Sequence, residues 1–273
     1  MRKLYFRYGM RLEFDTPVTR HFYSIRCVPG NTAAQKIYNV NCNIDPGGNL
    51  SRVTDGFGNC LFVGKILEPH TYFTFCVAGV AFVACQDAES ALQKQQLQAD
   101  LVYPMYRYAS HFTRYEENIR SFYLSLTEGR SEVFSVLEEA VYFMKMVYQN
   151  MRYESLSTNT GTTAAEAFRQ GKGVCQDYAH LMIALCRMRG IYARYAAGIV
   201  LGGTTTHAWV EIYDEYWIGL DPTNNCRTDD RYIKLCHGRD YGDCMVDRGF
   251  FSGQTVQRQT VEVSVTENAG TLL

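Results

Sequence analysis

The segment of this sequence most able to do chemistry is Gly171-Lys-Gly-Val-Cys-Gln-Asp-Tyr-Ala-His180. Two glycines turn the chain tightly, and the pattern that follows predicts a helix from about Cys175 to Arg189, stopped by Gly190. Cys175 then stands at a helix start, where unpaired N–H groups and the helix dipole favour a negative sulfur. The same N–H groups suit a developing oxyanion. A lone cysteine near a helix cap is more often a buried packing residue, so a base has to be found. Of the six histidines, His180 lies about 140° around the helix from Cys175 and points away. His21, His70 and His111 belong to the amino-terminal part, and His237 has no obvious orienting partner.

His207 differs from these. It opens the alternating stretch His207-Ala-Trp-Val-Glu-Ile-Tyr213, and Trp217-Ile-Gly-Leu-Asp221 returns after a short turn. A loop over residues 213–215 would set 212 opposite 216, 208 opposite 220 and 207 opposite 221. Directly opposed residues share a face with Cβ atoms about 5 Å apart, so Asp221 would hold the His207 ring and fix its tautomer. A two-residue loop would shift this register by one. Cys175, His207 and Asp221 thus form a candidate nucleophile, base and orienter. Trp209 shares the strand face of His207 and is a candidate wall for the acyl site, with core packing as the alternative. Asp177, in the first helical turn, reads as a cap or dipole partner.

The elements around these residues suggest an α+β fold in two parts. Residues 1–115 carry β-branched and aromatic runs such as Tyr23–Cys27, Ile37–Ile44 and Thr71–Val77, separated by turns such as Asp45-Pro-Gly-Gly48 and Asp55-Gly-Phe-Gly58. This predicts a β-sandwich-like domain, with a polar linker or surface helix over 86–100. Residues 116–273 change period. Val133, Val136, Leu137, Ala140, Val141, Met144, Val147 and Tyr148 mark an amphipathic helix, and Thr163 to Glu166 has capping-box spacing. The strictly alternating Thr260–Val265 predicts a closing strand.

Composition excludes several classes. The chain has 273 residues, 47% of them apolar and 20% charged, with a formal net charge of −1. That is the make-up of a globular protein with a sizeable core, and it lacks the basic excess of a nucleic-acid binder. The apolar run Phe73–Cys85 is short of the roughly twenty residues of a spanning helix and reads as a buried strand or strand pair. No apolar stretch follows the basic amino terminus, and the ten cysteines include no Cys-x-x-Cys. The expectation is therefore a cytoplasmic protein with reduced thiols and no membrane partner. Cys226, Cys236, His237 and Cys244 fit no usual zinc spacing. No cofactor or metal is expected.

Gly173-Val-Cys-Gln-Asp-Tyr-Ala-His180, His207-Ala-Trp-Val-Glu211 and Asp221-Pro-Thr-Asn-Asn225, in this order, resemble the bacterial transglutaminase-like superfamily, whose members are often provisionally described as cysteine proteases. Tyr5 to Val83 resembles that family's amino-terminal β region, and Arg231-Tyr-Ile233 and Gly238–Gly242 resemble its carboxy-terminal segment. The resemblance implies a papain-like catalytic domain with a Cys–His–Asp triad on Cys175, His207 and Asp221. Crosslinking members often use a Trp ahead of the cysteine as an oxyanion donor, whereas Trp209 and Trp217 both follow it. No acidic cluster matches the calcium sites of the animal enzymes. The expected function is a cysteine-dependent amide hydrolase, a protease, peptidase or amidase acting on a peptide or protein amide. The alternatives are a protein-glutamine transglutaminase with an amine acceptor, and a non-catalytic scaffold that retains the fold.

Overall fold

From Leu4 to Phe14 every second residue is large and apolar, and that period produces the longest strand, β1 (Arg2–Ile25). In the computed structural model, which describes residues 1–85, 103–130 and 134–268, β1 is followed by β2 (Gln35–Asp45), β3 (Asn49–Thr54), β4 (Cys60–Ile66) and β5 (His70–Val83). Their order is β2-β5-β1-β4-β3, all antiparallel. An irregularity between Glu13 and Val18 divides β1. Its first half pairs with β5 along nearly its whole length, and its second half pairs with β4. The sheet curls over one core, in which Phe6, Ile25, Phe73 and Phe75 are fully buried. The expected β-sandwich-like domain takes the form of one curled sheet, and the apolar run after His70 is a single strand rather than a pair.

The second half opens with helices α1 (Glu117–Thr127), α2 (Val136–Asn150), α3 (Ala164–Gln170) and α4 (Cys175–Met188). Ser135 caps α2 and Thr163 caps α3, each in a reciprocal capping box with the glutamate three residues on. Between α2 and α4, β6 (Arg152–Tyr153) pairs in parallel with β7 (Lys172–Gly173). Helix α4 packs on an antiparallel sheet of β8 (Ala193–Val200), β9 (His207–Asp214), β10 (Tyr216–Asp221), β11 (Cys226–Arg227) and β12 (Tyr232–Gly238). The spatial order is β11-β10-β9-β8-β12. Residues Tyr178 to Leu185 of α4 are all buried, because neighbours cover the helix on every side.

The two halves share a core and a seam. Ile199, Ile233 and Leu235 of the second sheet pack into the core beneath β1. Strand β12 is an edge strand whose free backbone groups need partners. Two side-chain amides supply them. The Gln35 amide bridges the N–H and C=O of Lys234 (2.8 and 2.9 Å), and the Asn59 amide bridges those of His237 (2.9 and 2.7 Å). Asn59 is itself fixed by Asp55, which also accepts the N–H of Phe57. The Asp55-Gly-Phe-Gly-Asn59 turn thus clasps the second domain. The carboxy-terminal strands β13 (Asp247–Ser252) and β14 (Gln257–Thr266) return to pair with β1, so the expected closing strand completes the amino-terminal sheet. The segment 86–100 and Val133 lie outside the described residues.

Asn59→Ala removes the bridge and leaves the His237 N–H and C=O unpaired in a buried seam. Urea unfolding should register a loss of about 1–3 kcal/mol, and an unchanged midpoint would show that the seam does not depend on it. All ten cysteines are free thiols. Titration of freshly prepared protein in denaturant without reductant should therefore recover ten, and a clear deficit would refute this.

Candidate active site

Gly171 adopts the left-handed conformation that ends α3 (φ 65°). Two residues later the chain passes so close to α4 that a Cβ on Gly173 would sit 2.6 Å from the Cβ of Asp177. Asp177 is buried and accepts the Val174 N–H (2.8 Å) and the Thr158 hydroxyl (2.6 Å). It is a cap, as its position in the first turn suggests. Burial pushes its carboxyl pKa up against those hydrogen bonds. Cys175 is the first residue of α4 and is partly exposed. A helix start leaves the N–H groups of Cys175 and Gln176 without intrahelical partners.

The hairpin that brings up the base differs from its expected register. Ile218 faces Ile212 and Leu220 faces Val210, with Tyr216 opposite Asp214. Glu215 alone forms the tip, at φ 62°. The pairing is displaced by two residues from the one that set 207 opposite 221. A displacement of two preserves the face on which each side chain stands. Asp221 therefore still meets His207, across a diagonal rather than a direct pair. The contact is short, with His207 Nε2 2.7 Å from Asp221 Oδ2.

Asp221 is fully buried. Besides His207 it accepts the backbone N–H groups of Thr223 (2.9 Å) and Asn224 (3.2 Å), the Asn224 amide (2.7 Å) and the Tyr232 hydroxyl (2.9 Å). Burial by itself would raise its pKa, but these hydrogen bonds and the imidazolium hold the carboxyl below its ordinary range. Burial likewise would discharge His207. Its hydrogen bonds to Asp221 and to Cys175 outweigh that and push its pKa up to about 10. With Nε2 committed to Asp221, Nδ1 is the ring nitrogen left for Cys175. A cation is then held beside the sulfur through neutral pH.

Sequence reasoning did not find Tyr232 or Asn224. Asn224 lies within the quoted Asp221–Asn225 motif, but Tyr232 arrives from β12, on another strand of the sheet. Trp209 lies on the expected strand face, yet it is 2% exposed, packed against the Tyr232 ring (5.6 Å) and over Gly198. It forms part of the floor beneath the site and not an open wall. His180 stacks on Phe112 and accepts the Tyr241 N–H (3.1 Å). His21 and His70 face each other in the amino-terminal core. Among the described residues, no group of three or more His, Cys, Asp or Glu side chains is arranged to hold a metal ion.

Glu211, also part of the quoted motif, lies buried in β9 between Arg194 of β8 (2.6 Å) and Lys234 of β12 (3.0 Å). The Arg194 guanidinium stacks 3.8 Å from the Trp217 ring centroid. This charged row pins β9 beneath the site and touches no reacting group. Leaving any member unpaired would cost about 3–5 kcal/mol.

An architecture of this kind, with a cysteine at a helix start and a His–Asp hairpin beside it, is matched by sequence comparison. Residues 120–222 match the transglutaminase-like superfamily core, and residues 5–81 match the bacterial transglutaminase-like N-terminal region. The chain belongs to the transglutaminase-like superfamily. Uncharacterized proteins of Mycobacterium leprae and Mycobacterium tuberculosis are similar at 24% and 27% identity. The first match covers 94% of this chain and 95% of the relative, and the second 87% and 83%. A solved structure from Cytophaga hutchinsonii, provisionally described as a cysteine protease, shares the fold with a TM-score of 0.76 and 23% identity, over 97% of this chain and 91% of that one.

The charge of His207 is the testable consequence. Its pKa lies above the unfolded value of about 6.5, so the stability it contributes is complete below that pH and fades as pH rises towards 10. In Asp221→Asn the ring loses its anion, and an NMR titration should find His207 discharging at or below its ordinary pKa. A ring still titrating near 10 in that variant would show that Asp221 is not what holds the proton.

Proposed function

We propose that the chain is a cysteine-dependent amide hydrolase acting on a peptide or protein amide through an acyl-thioenzyme. The observation that carries this reading is the 2.7 Å His207–Asp221 contact, with Cys175 at the start of α4 among the groups that hold the His207 ring charged. In the proposed cycle the Cys175 sulfur adds to the amide carbonyl, and the oxyanion is held by the Cys175 N–H. His207 passes its proton to the leaving nitrogen as the C–N bond breaks, leaving a thioester. Neutral His207 then takes a proton from water, whose oxygen adds to the thioester carbon. The C–S bond breaks, and the carboxylic acid product leaves. Asp221 orients the ring throughout and stays ionised.

Water is favoured over an amine as acceptor by the placement of the tryptophans. A crosslinking site must exclude water at about 55 M while admitting an amine, which calls for aromatic walls around the thioester. Trp209 is buried, and Trp217 packs among Tyr103, Tyr106 and Tyr213. The free thiols suit a reducing compartment, and a cytoplasmic setting is proposed on that ground.

A mixed peptide library, incubated with and without a labelled primary amine and read by mass spectrometry, separates the outcomes. Backbone cleavage or side-chain amide hydrolysis is expected, abolished in Cys175→Ala and in His207→Ala with the fold intact. Normal turnover in either variant removes the site assignment. Faster amine incorporation than hydrolysis would replace the hydrolase by a transglutaminase, and no product from any peptide would favour a scaffold.

A further inference from the structure

Away from the catalytic cleft, the amino-terminal sheet encloses a cavity of about 270 Å³. It lies where the sheet divides, β14 pairing with the first half of β1 and β13 with the second. Both halves of β1, both carboxy-terminal strands and Phe73 of β5 line it, and none of Cys175, His207 and Asp221 does. Thr160 and Tyr241 contribute a lip from the second domain. The Thr160 carbonyl accepts the Gln176 amide (3.5 Å) and the Tyr241 N–H donates to His180 (3.1 Å), so the lip is tied to α4. An apolar cavity of about 150 Å³ takes up benzene, and this one therefore has room for a substituted ring.

The polar groups of this cavity are acceptors that lack a donor. A carbonyl only accepts, so His70 Nδ1 donates to the Glu68 carbonyl (2.9 Å), and His70 Nε2 accepts from His21 Nδ1 (3.2 Å). His21 Nε2 is left with a lone pair and, among the described residues, no hydrogen-bond partner. Burial and the neighbouring His70 push the His21 pKa down to about 4, so the ring is uncharged at neutral pH. Gly249 keeps the space beside this nitrogen open, because a Cβ there would sit 3.1 Å from Nε2. The lining residue Tyr23 is buried, and its hydroxyl has no partner either. Asp247 accepts the Gln259 amide, and among the described residues no cation is paired with its carboxylate. Side chains alternate along β13, where Phe250 stacks on Phe22 at the surface and Phe251 packs on the core. Arg248 is therefore turned to the exposed face with Phe250, away from the carboxylate.

We propose that this cavity binds a small organic cation, an ammonium group carried on a ring or a short apolar chain. The ammonium supplies the donors that Asp247 and His21 Nε2 lack. The apolar part lies against Phe73 and Phe251, whose ring centroids are 5.0 and 6.0 Å from that of His21. A neutral ligand would leave the carboxylate uncompensated, and an anion would be repelled by it. The site does not depend on the amide-hydrolase reading.

The probe is benzylammonium, with benzyl alcohol as its neutral counterpart, titrated into the full-length protein near neutral pH by calorimetry. Benzylammonium should bind about tenfold more tightly than the alcohol or better, and should shift the His21 ring-nitrogen signals in NMR. Asp247→Asn should erase that preference. Gly249→Ala, which fills the space beside Nε2, should weaken binding by about tenfold, and Cys175→Ala should leave it unchanged. No binding at millimolar probe, equal affinity for the alcohol, or an Asp247→Asn variant that keeps the preference overturns the proposal. Normal binding by Gly249→Ala also overturns it. So does loss of binding in Cys175→Ala, which would place the amine at the nucleophile instead.

Discussion

A fully buried carboxylate, Asp221, is the point on which the site depends. An unpaired charge at that depth would be driven to neutrality. Here each oxygen accepts hydrogen bonds, from Thr223 and Asn224 on one side and from His207, Asn224 and Tyr232 on the other. Hydrogen bonds to a charged group contribute about 1.5–3 kcal/mol each, enough together to keep the acid ionised. The anion in turn keeps His207 charged despite burial, and the charged ring faces Cys175. The order of cause runs from the buried acid outward to the sulfur.

Holding that acid requires three strands and both domains. Asp221 ends β10, His207 opens β9, and Tyr232 opens β12 on the far side of β8. Strand β12 has no strand neighbour beyond it in its own sheet. The Gln35 and Asn59 amides and the Ile233 and Leu235 side chains join it to the amino-terminal domain. The curled sheet thus serves the site from a distance, by fixing the edge strand that delivers one of the donors to Asp221. Strands β13 and β14 tie the end of the chain to the same sheet, so neither half is an independent appendage.

The helix start is under a separate local constraint. Asp177 caps the Val174 N–H, Gly173 leaves room for that carboxylate, and β6 runs beside β7 just ahead of the cysteine. These contacts set the direction in which Cys175 leaves the chain. They also pair Tyr153 with Gly173, two residues ahead of the cysteine. The glycines of the Gly171–Gly173 segment follow from backbone conformation at the first and close approach at the second.

The sequence alone determined whatever depends on local period and local chemistry. It specified the helix from Cys175, its stop at Gly190, the capping box at Thr163, the strand pair carrying His207 and Asp221, and the shared face on which those two side chains meet. The alternation from Leu4 to Phe14 was equally readable and marks most of β1. Only the tertiary structure decided the rest. The hairpin closes around one residue, Glu215, and side-chain parity over two residues kept Asp221 on the face of His207 although the expected pairing was displaced. Trp209 carries the same alternation signal as His207, but its side chain is covered by Tyr232 from another strand. Tyr232, Asn59 and Gln35 act across long sequence separations, and the destination of the closing strand depended on which sheet had a free edge. Period records which way a side chain points, whereas the partner it meets is set by packing between distant segments.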